Sequence, residues 1–462
     1  SDDFFIIHRV FYGCSARARV HLFRARNMDF YKEKLSRKWG GLSIAVACFS
    51  LTYGHAYAQP LTLDTALNLA EQYAPTLRAN SAQIEGAENV VSASGILPNP
   101  KLFVGLDNYP VSGDAAWSVT REGMTMQKIG VMQDFPNRAK RQAEVDLAKA
   151  ELGSANAQTE ILRIELRQKV ASAWLKRFYL ERKLALYDEL FSENRLLSQI
   201  TQTQVISGRT IIADALDPRQ EATVLLDQKD DLLRDLNKAK LELHRLVSAE
   251  PTENLSQIET LPDQAPSIYL DRSKLYHHLH QHPELKAFQA EKQTAEAKLK
   301  QAQALQKPDW GIELAYQHRA PEFGDMIGVQ LTTELPVFSK RRSSPLIRAA
   351  LAEQNRITAD QEVQYRDHLT MLDDGLSDLD ALDQQIRRAM QTSIPLAKQK
   401  VGLQLASYQA GKSNLSNVIA ARQALLEQRL RLIDLQQQQA VTKAQLYYAF
   451  EEPTLNHVEG QP

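Results

Sequence analysis

The sequence predicts a mainly α protein with a small β part: long helical hairpins with coiled-coil seams, plus four short strands. Three observations carry that expectation. From about Asn137 to Val205 the chain runs nearly seventy residues with no proline and one glycine, Gly153. Within it Leu166, Ala173, Leu180 and Tyr187 recur every seven residues, and Val170, Leu184 and Phe191 follow a companion register that Arg177 interrupts. Heptad repetition keeps an apolar seam facing a partner helix, and at about 1.5 Å per residue such a helix reaches roughly 100 Å. The third observation is that the pattern comes twice. Gly130 to Pro136 precedes the long helix, Gly328 to Pro336 precedes a second helical stretch, Arg342 to Tyr408, and the two prolines lie about 200 residues apart. Gly208 is echoed by Gly411, and Pro75-Thr-Leu77 by Pro283-Glu-Leu285. The chain therefore reads as a tandem duplication of one unit of about 200 residues.

The totals narrow the function classes. A net charge of −1 and a pI near 6.8 over 462 residues argue against a nucleic-acid partner, which calls for a basic excess. The two cysteines, Cys14 and Cys48, precede the expected mature start. The mature chain then has no disulfide framework and no thiolate metal site.

Taken in order, residues 1–58 read as an upstream extension followed by a cleaved signal peptide. Residues 1–27 lack periodicity; from Met28 onward Lys32, Lys34, Arg37 and Lys38 form a basic region, Leu42 to Leu51 an apolar one, and Ala56-Tyr57-Ala58 a small-x-small cleavage site. Cleavage between Ala58 and Gln59 is expected; lipidation at Cys48 is the alternative. The first repeat, 59–250, opens on Leu61 to Ile96, where Asp64 can cap a helix whose face is Leu63, Ala66, Leu67 and Ala70. Leu97-Pro-Asn-Pro100 stops it. Leu102, Val104 and Leu106 then alternate with Phe103, Gly105 and Asp107, and Ile129 and Val131 with Lys128, Gly130 and Met132. After Gly208 the chain returns along Leu225, Leu232, Ala239 and Leu246. A proline-bearing linker, 251–271, leads to the second repeat, 272–452, and residues 453–462 read as a disordered tail. In the second repeat Trp310, Ile312, Leu314 and Tyr316, then Ile327, Val329, Leu331 and Leu335, supply the alternation, and Leu426, Ile433, Ala440 and Tyr447 the return helix. Such strands fit a lipid-facing barrel or an ordinary half-buried hairpin. Four strands cannot close a barrel alone, and an open edge is not tolerated in lipid.

At this point the sequence resembles the TolC family of outer-membrane efflux channels, from Leu61 to about Phe450. The residues that carry the resemblance are Leu61-Thr-Leu-Asp-Thr-Ala-Leu67, Leu97-Pro-Asn-Pro100, Pro283-Glu-Leu285, Phe135-Pro136, Leu335-Pro336 and Tyr408-Gln-Ala-Gly411. Gly130 to Arg141 is most similar to the heavy-metal-efflux (CzcC/CusC) branch. The resemblance implies a homotrimer set in outer-membrane lipid, with twelve strands in one transmembrane β-barrel and twelve helices in a periplasmic α-barrel. It also implies a periplasmic membrane-fusion adaptor and an inner-membrane RND pump as partners, in a Gram-negative bacterium. The expected function is efflux, with heavy-metal cations as cargo. Drug efflux or type I protein secretion is the alternative cargo reading, and a pore-less periplasmic scaffold the alternative of another class.

No nucleotide-binding glycine loop, supported Ser/His/Asp set or metalloprotease motif occurs, so neither an enzyme nor a cofactor is expected. The family's docking role carries over to the turns Ser207, Gly208, Arg209 and Ala410, Gly411, Lys412. The sequence departs from the acidic entrance of TolC-like channels: Gln384 to Ser413 has no Asp or Glu but has Arg387, Arg388, Lys398, Lys400 and Lys412. An entrance closed by Leu403 and Leu405 with basic Lys398 and Lys400 is therefore expected, with the alternative that these lysines are solvated. Pro395 should kink its helix. His277-His-Leu-His-Gln-His282 invites a metal reading through His278 and His282, but reads as a polar helix start before Pro283, and no metal site is assigned.

Overall fold

The computed structural model describes residues 60–208, 210–248 and 261–450. The signal segment with its Ala58/Gln59 cleavage point, Arg209, the first part of the linker and the tail lie outside the described residues.

Two helices open the described chain, α1 (Leu63–Tyr73) and α2 (Pro75–Ala93). They are split where Pro75 forces Ala74 out of the helical region, to ψ 116°. The cap of α1 is Thr62 rather than Asp64: its hydroxyl oxygen accepts the Thr65 N–H at 3.1 Å, and Asp64 sits in the first turn. Strands β1 (Lys101–Asp107) and β2 (Met126–Phe135) lead into α3, Arg138–Ile206, a single helix of 69 residues. The Asn137 side chain caps α3 by accepting the Ala139 N–H. A short 3₁₀ turn, Ile212–Ala215, precedes α4 (Asp217–Val247). The order then recurs as α5 (Arg272–Leu279), α6 (Pro283–Ala304), β3 (Trp310–His318), β4 (Met326–Thr333), α7 (Ser339–Arg388), α8 (Ile394–Gln409) and α9 (Leu415–Phe450).

The main core gathers on the middle of α3. Trp174 is fully buried, stacks on Phe178 at 5.4 Å, and donates its indole N–H to the Leu61 carbonyl at 2.8 Å. Around it pack Leu63, Ala66, Leu67 and Ala70 of α1, Val170 and Leu175 of α3, Leu243 of α4 and Ala444 of α9. Arg177, the break in the heptad register, is buried beside this core and pairs with Glu181 at 2.9 Å. A second cluster joins α5, α7 and α9 through Leu275, Leu279, Leu372, Leu446 and Phe450.

The four strands form one antiparallel sheet in the order β1-β2-β3-β4. Its register sets Leu102 opposite Val131, Val131 opposite Leu314, and Leu314 opposite Val329, so these apolar side chains share one face. That face is exposed in the chain, with Leu102, Val104, Ile327 and Val329 each 70–75% accessible. The other face carries the Lys128–Glu313 ion pair at 2.7 Å. At the helical end of the sheet, Asp309 accepts the Asn137 N–H at 2.7 Å and pairs with Lys140 at 2.8 Å, and Phe135 stacks on Trp310 at 4.2 Å. Those contacts fasten the start of α3 to the start of β3.

Three expectations are corrected here. The chain is mainly helical with a small sheet, but the sheet is open: β1 pairs with β2 alone and β4 with β3 alone. Four strands fall well short of the roughly eight at which side chains just fill a closed barrel. The transmembrane barrel, the three-copy coiled-coil tunnel and the outer-membrane placement built on them are therefore not features of this structure. Nor is any helix among the described residues long and apolar enough to cross a membrane.

Gly130 of β2 lies between Phe103 of β1 and Ala315 of β3. A Cβ there would lie 2.5 Å from the Leu314 carbonyl oxygen and 2.9 Å from the Ala315 Cα, both backbone atoms. Gly130→Ala is expected to destabilise the sheet by about 1–3 kcal/mol, read as a lower thermal midpoint; an unchanged midpoint would show that the strands separate freely.

Candidate functional site

The turns that follow α3 and α8 are each built around a glycine in the left-handed region. Gly411 has φ +69°, and the turn closes with Gly411 N–H to Tyr408 C=O at 2.9 Å and Lys412 N–H to Ser407 C=O at 2.9 Å. Those are the paired bonds of a Schellman stop, which satisfies the last carbonyls of α8. Gly208 has φ +68° and donates to the Val205 carbonyl at 3.0 Å at the end of α3. Neither position has an atom within 4 Å of an added Cβ, so backbone conformation rather than crowding selects glycine.

The structure sets the two turns side by side. Gln204, Thr210, Ile211 and Asp214 from the first, and Tyr408, Ala410, Gly411 and Asn414 from the second, line one cavity of about 620 Å³. Sequence reasoning missed the apolar part of this surface. Ile206, Ile211 and Ile212 are 67–81% exposed around the first turn, and single apolar residues become informative when they gather at one place. The adjacent isoleucines after Gly208 were the available signal.

The four residues expected to close an entrance separate. Lys398 and Leu405 line a groove of about 350 Å³ with Leu197 of α3 and Val418 and Arg422 of α9. Leu405 packs on the Leu197, Tyr408, Leu415 and Val418 cluster. Leu403 is 70% exposed, and Lys400 is exposed. Just before Pro395 the helix widens into a π turn, Ala389–Ser393, which accommodates a position lacking an N–H.

Of the histidine run, His277 and His278 lie on α5, and His280 stacks on Tyr365 at 5.0 Å. His282 caps α6, with Pro283 at its first position and the ring Nδ1 accepting the Glu284 N–H at 3.3 Å. His282 does not pair with His278. It faces His368 of α7, ring centroids 4.0 Å apart, and His368 Nε2 lies 2.9 Å from a Glu284 carboxylate oxygen. Both histidines are buried, at 5% and 4% exposure. His282, Glu284 and His368 form the one group among the described residues with three possible metal-ligating atoms close together. Nothing in the sequence flags His368, an isolated histidine far along the chain.

Burial, together with the neighbouring His368, pulls the His282 pKa from its ordinary 6.5 down to about 4. Its hydrogen bond from His368 holds the Glu284 carboxyl below the usual range. Both groups therefore bind protons more readily in the unfolded chain. The stability they contribute is present above about pH 6.5 and is lost as pH falls toward 4 and below. In chelator, the thermal midpoint is expected to fall across that window, with His282 worth up to about 3 kcal/mol. His282→Gln is expected to flatten the pH 6.5 to 4 part; an unchanged slope would place the titration elsewhere.

Residues 275–450 match the family model "Outer membrane efflux protein". The chain is 23% identical over 382 residues to the cobalt-zinc-cadmium resistance protein CzcC of Cupriavidus metallidurans, covering 81% of this chain and 86% of that protein. Its fold is similar to that of CusC, with TM-score 0.70, 17% identity, and 85% and 93% of the two chains covered. The structure of a membrane protein from Pseudomonas aeruginosa gives TM-score 0.70 at 15% identity, covering 84% and 92%. The outer membrane protein VceC of Vibrio cholerae gives 0.67 at 18%, covering 84% and 95%. Residues 275–450 are thus similar to the outer membrane efflux protein family, and most of the chain shares its fold with these solved membrane proteins.

Proposed function

We propose that this chain is the channel component of a tripartite efflux system that exports heavy-metal cations, working with a periplasmic adaptor and an inner-membrane RND pump. Proteins of the superfamily are transport conduits rather than catalysts, so the driving energy comes from the pump. The observation that carries the cargo reading is the similarity to a cobalt-zinc-cadmium resistance protein over 81% of the chain.

The paired turns are the docking surface for the adaptor in this reading. Ser207, Gly208, Ala410, Gly411 and Lys412 shape it, Arg209 adjoins it in sequence, and the exposed Ile206, Ile211 and Ile212 offer the apolar contact area. The groove lined by Lys398 and Leu405 is the entrance in this reading. Leu405 supplies apolar packing there and the exposed Lys398 a positive charge, with Lys400 and Leu403 exposed nearby in sequence.

Growth of a deletion strain across graded cobalt, zinc, cadmium, copper and silver, beside a drug and detergent panel, tests the cargo. Hypersensitivity confined to metals, reversed by the intact gene, is the expected result. Hypersensitivity to drugs and detergents with normal metal tolerance would overturn the metal reading in favour of drug efflux.

A further inference from the structure

We propose that His282, Glu284 and His368 form a resident binding site for one divalent transition-metal cation of the zinc type, clamping the start of α6 to α7. The three candidate ligand atoms already lie within 4.8 Å of one another. Tetrahedral zinc with nitrogen and oxygen ligands at about 2.0–2.1 Å sets them roughly 3.4 Å apart, a small closing movement from the spacing present. Two imidazoles with one carboxylate are the ligand set of an open zinc site, the fourth position being left to water. Imidazole nitrogens favour such a cation over magnesium or calcium, which take oxygen ligands.

The cluster holds one shared proton, between His368 and Glu284, that a cation can replace. The Gln364 side-chain nitrogen lies 2.6 Å from Glu284 Oε2 and 3.2 Å from His368 Nε2. If His368 Nε2 carries the proton shared with Glu284, it cannot also accept from Gln364. His368 Nδ1 is buried with no hydrogen-bond partner in either case. A cation replaces the shared proton: His368 coordinates through Nε2, its ring proton moves to Nδ1, and Glu284 exchanges a hydrogen bond for a metal bond. His282 Nδ1 is engaged by a long 3.3 Å contact that a cation readily displaces.

The surroundings suit a resident ion. Phe450 of α9 packs beside both imidazoles, with ring centroids 5.7 and 6.1 Å away. Glu284 stays 32% exposed and so leaves a path for entry. The entrance groove is lined by other residues altogether, so the inference does not depend on what cargo passes.

The test is isothermal titration of the tag-free, chelator-stripped full chain with zinc chloride at pH 7.5, followed by thermal melting and by the visible spectrum with cobalt(II). One equivalent of zinc, a raised thermal midpoint and an intense tetrahedral-type cobalt band are expected. Glu284→Gln and His368→Gln should each weaken binding at least about tenfold, as loss of even an outer partner of a metal ligand does. His277→Ala/His278→Ala/His280→Ala combined should retain the equivalent. Absence of zinc uptake, a weak octahedral cobalt band, or loss of binding in the triple variant with retention in His368→Gln would overturn the site. Circular dichroism checks folding of each variant, and the cobalt band of the unaltered chain decides the ligand set should His368→Gln fail to fold.

Discussion

The burial of Trp174 midway along α3 is the contact on which the rest of the described structure depends. The indole has no exposed surface and its N–H is bonded to the Leu61 carbonyl. Removing roughly 150–250 Å² of aromatic surface from water is worth roughly 4–6 kcal/mol. That anchor collects α1, α4 and α9 against one helix. Because α3 runs unbroken for 69 residues, fixing its middle also fixes both of its ends. Asp309 holds the N-terminal end to the sheet, and Gly208 terminates the other end beside the Gly411 turn.

This arrangement separates tasks along a rod. The sheet presents an apolar face that a single chain leaves uncovered. The paired turns present exposed isoleucines around two glycine-enabled stops. The helices also hold, near the end of α9, the one close group of nitrogen and oxygen ligands among the described residues.

Much of the helical framework was legible in the sequence because it rests on local rules. The proline-free heptads of α3, the buried face of α1 and the two turn glycines follow from periodicity and backbone sterics. The strands were legible from alternation, and the register keeps their apolar residues on one face. What was not legible depends on contacts between distant segments. The α1 cap is Thr62 because its hydroxyl reaches the Thr65 N–H, a choice among neighbouring cap formers that spacing does not make. The separation of Leu403 from Leu405 follows from packing on α3 and α9. His368 meets His282 only through the folding of α7 against α6, whereas His278, four residues away in sequence, looked the better partner. The expected twelve-stranded barrel is not a feature of the structure, whose four-stranded sheet ends in two open edges, β1 and β4.

Hydrogen–deuterium exchange along α3 tests the anchoring role of Trp174 most directly. Amides exchange slowly where opening requires breaking the packed core. The result expected is strongest protection over residues 166–180, matched by α1 and by α9 near Ala444, with protection declining toward Ile206. Uniform protection along α3, or a maximum near the turn, would contradict the central claim that one mid-helix core positions both ends.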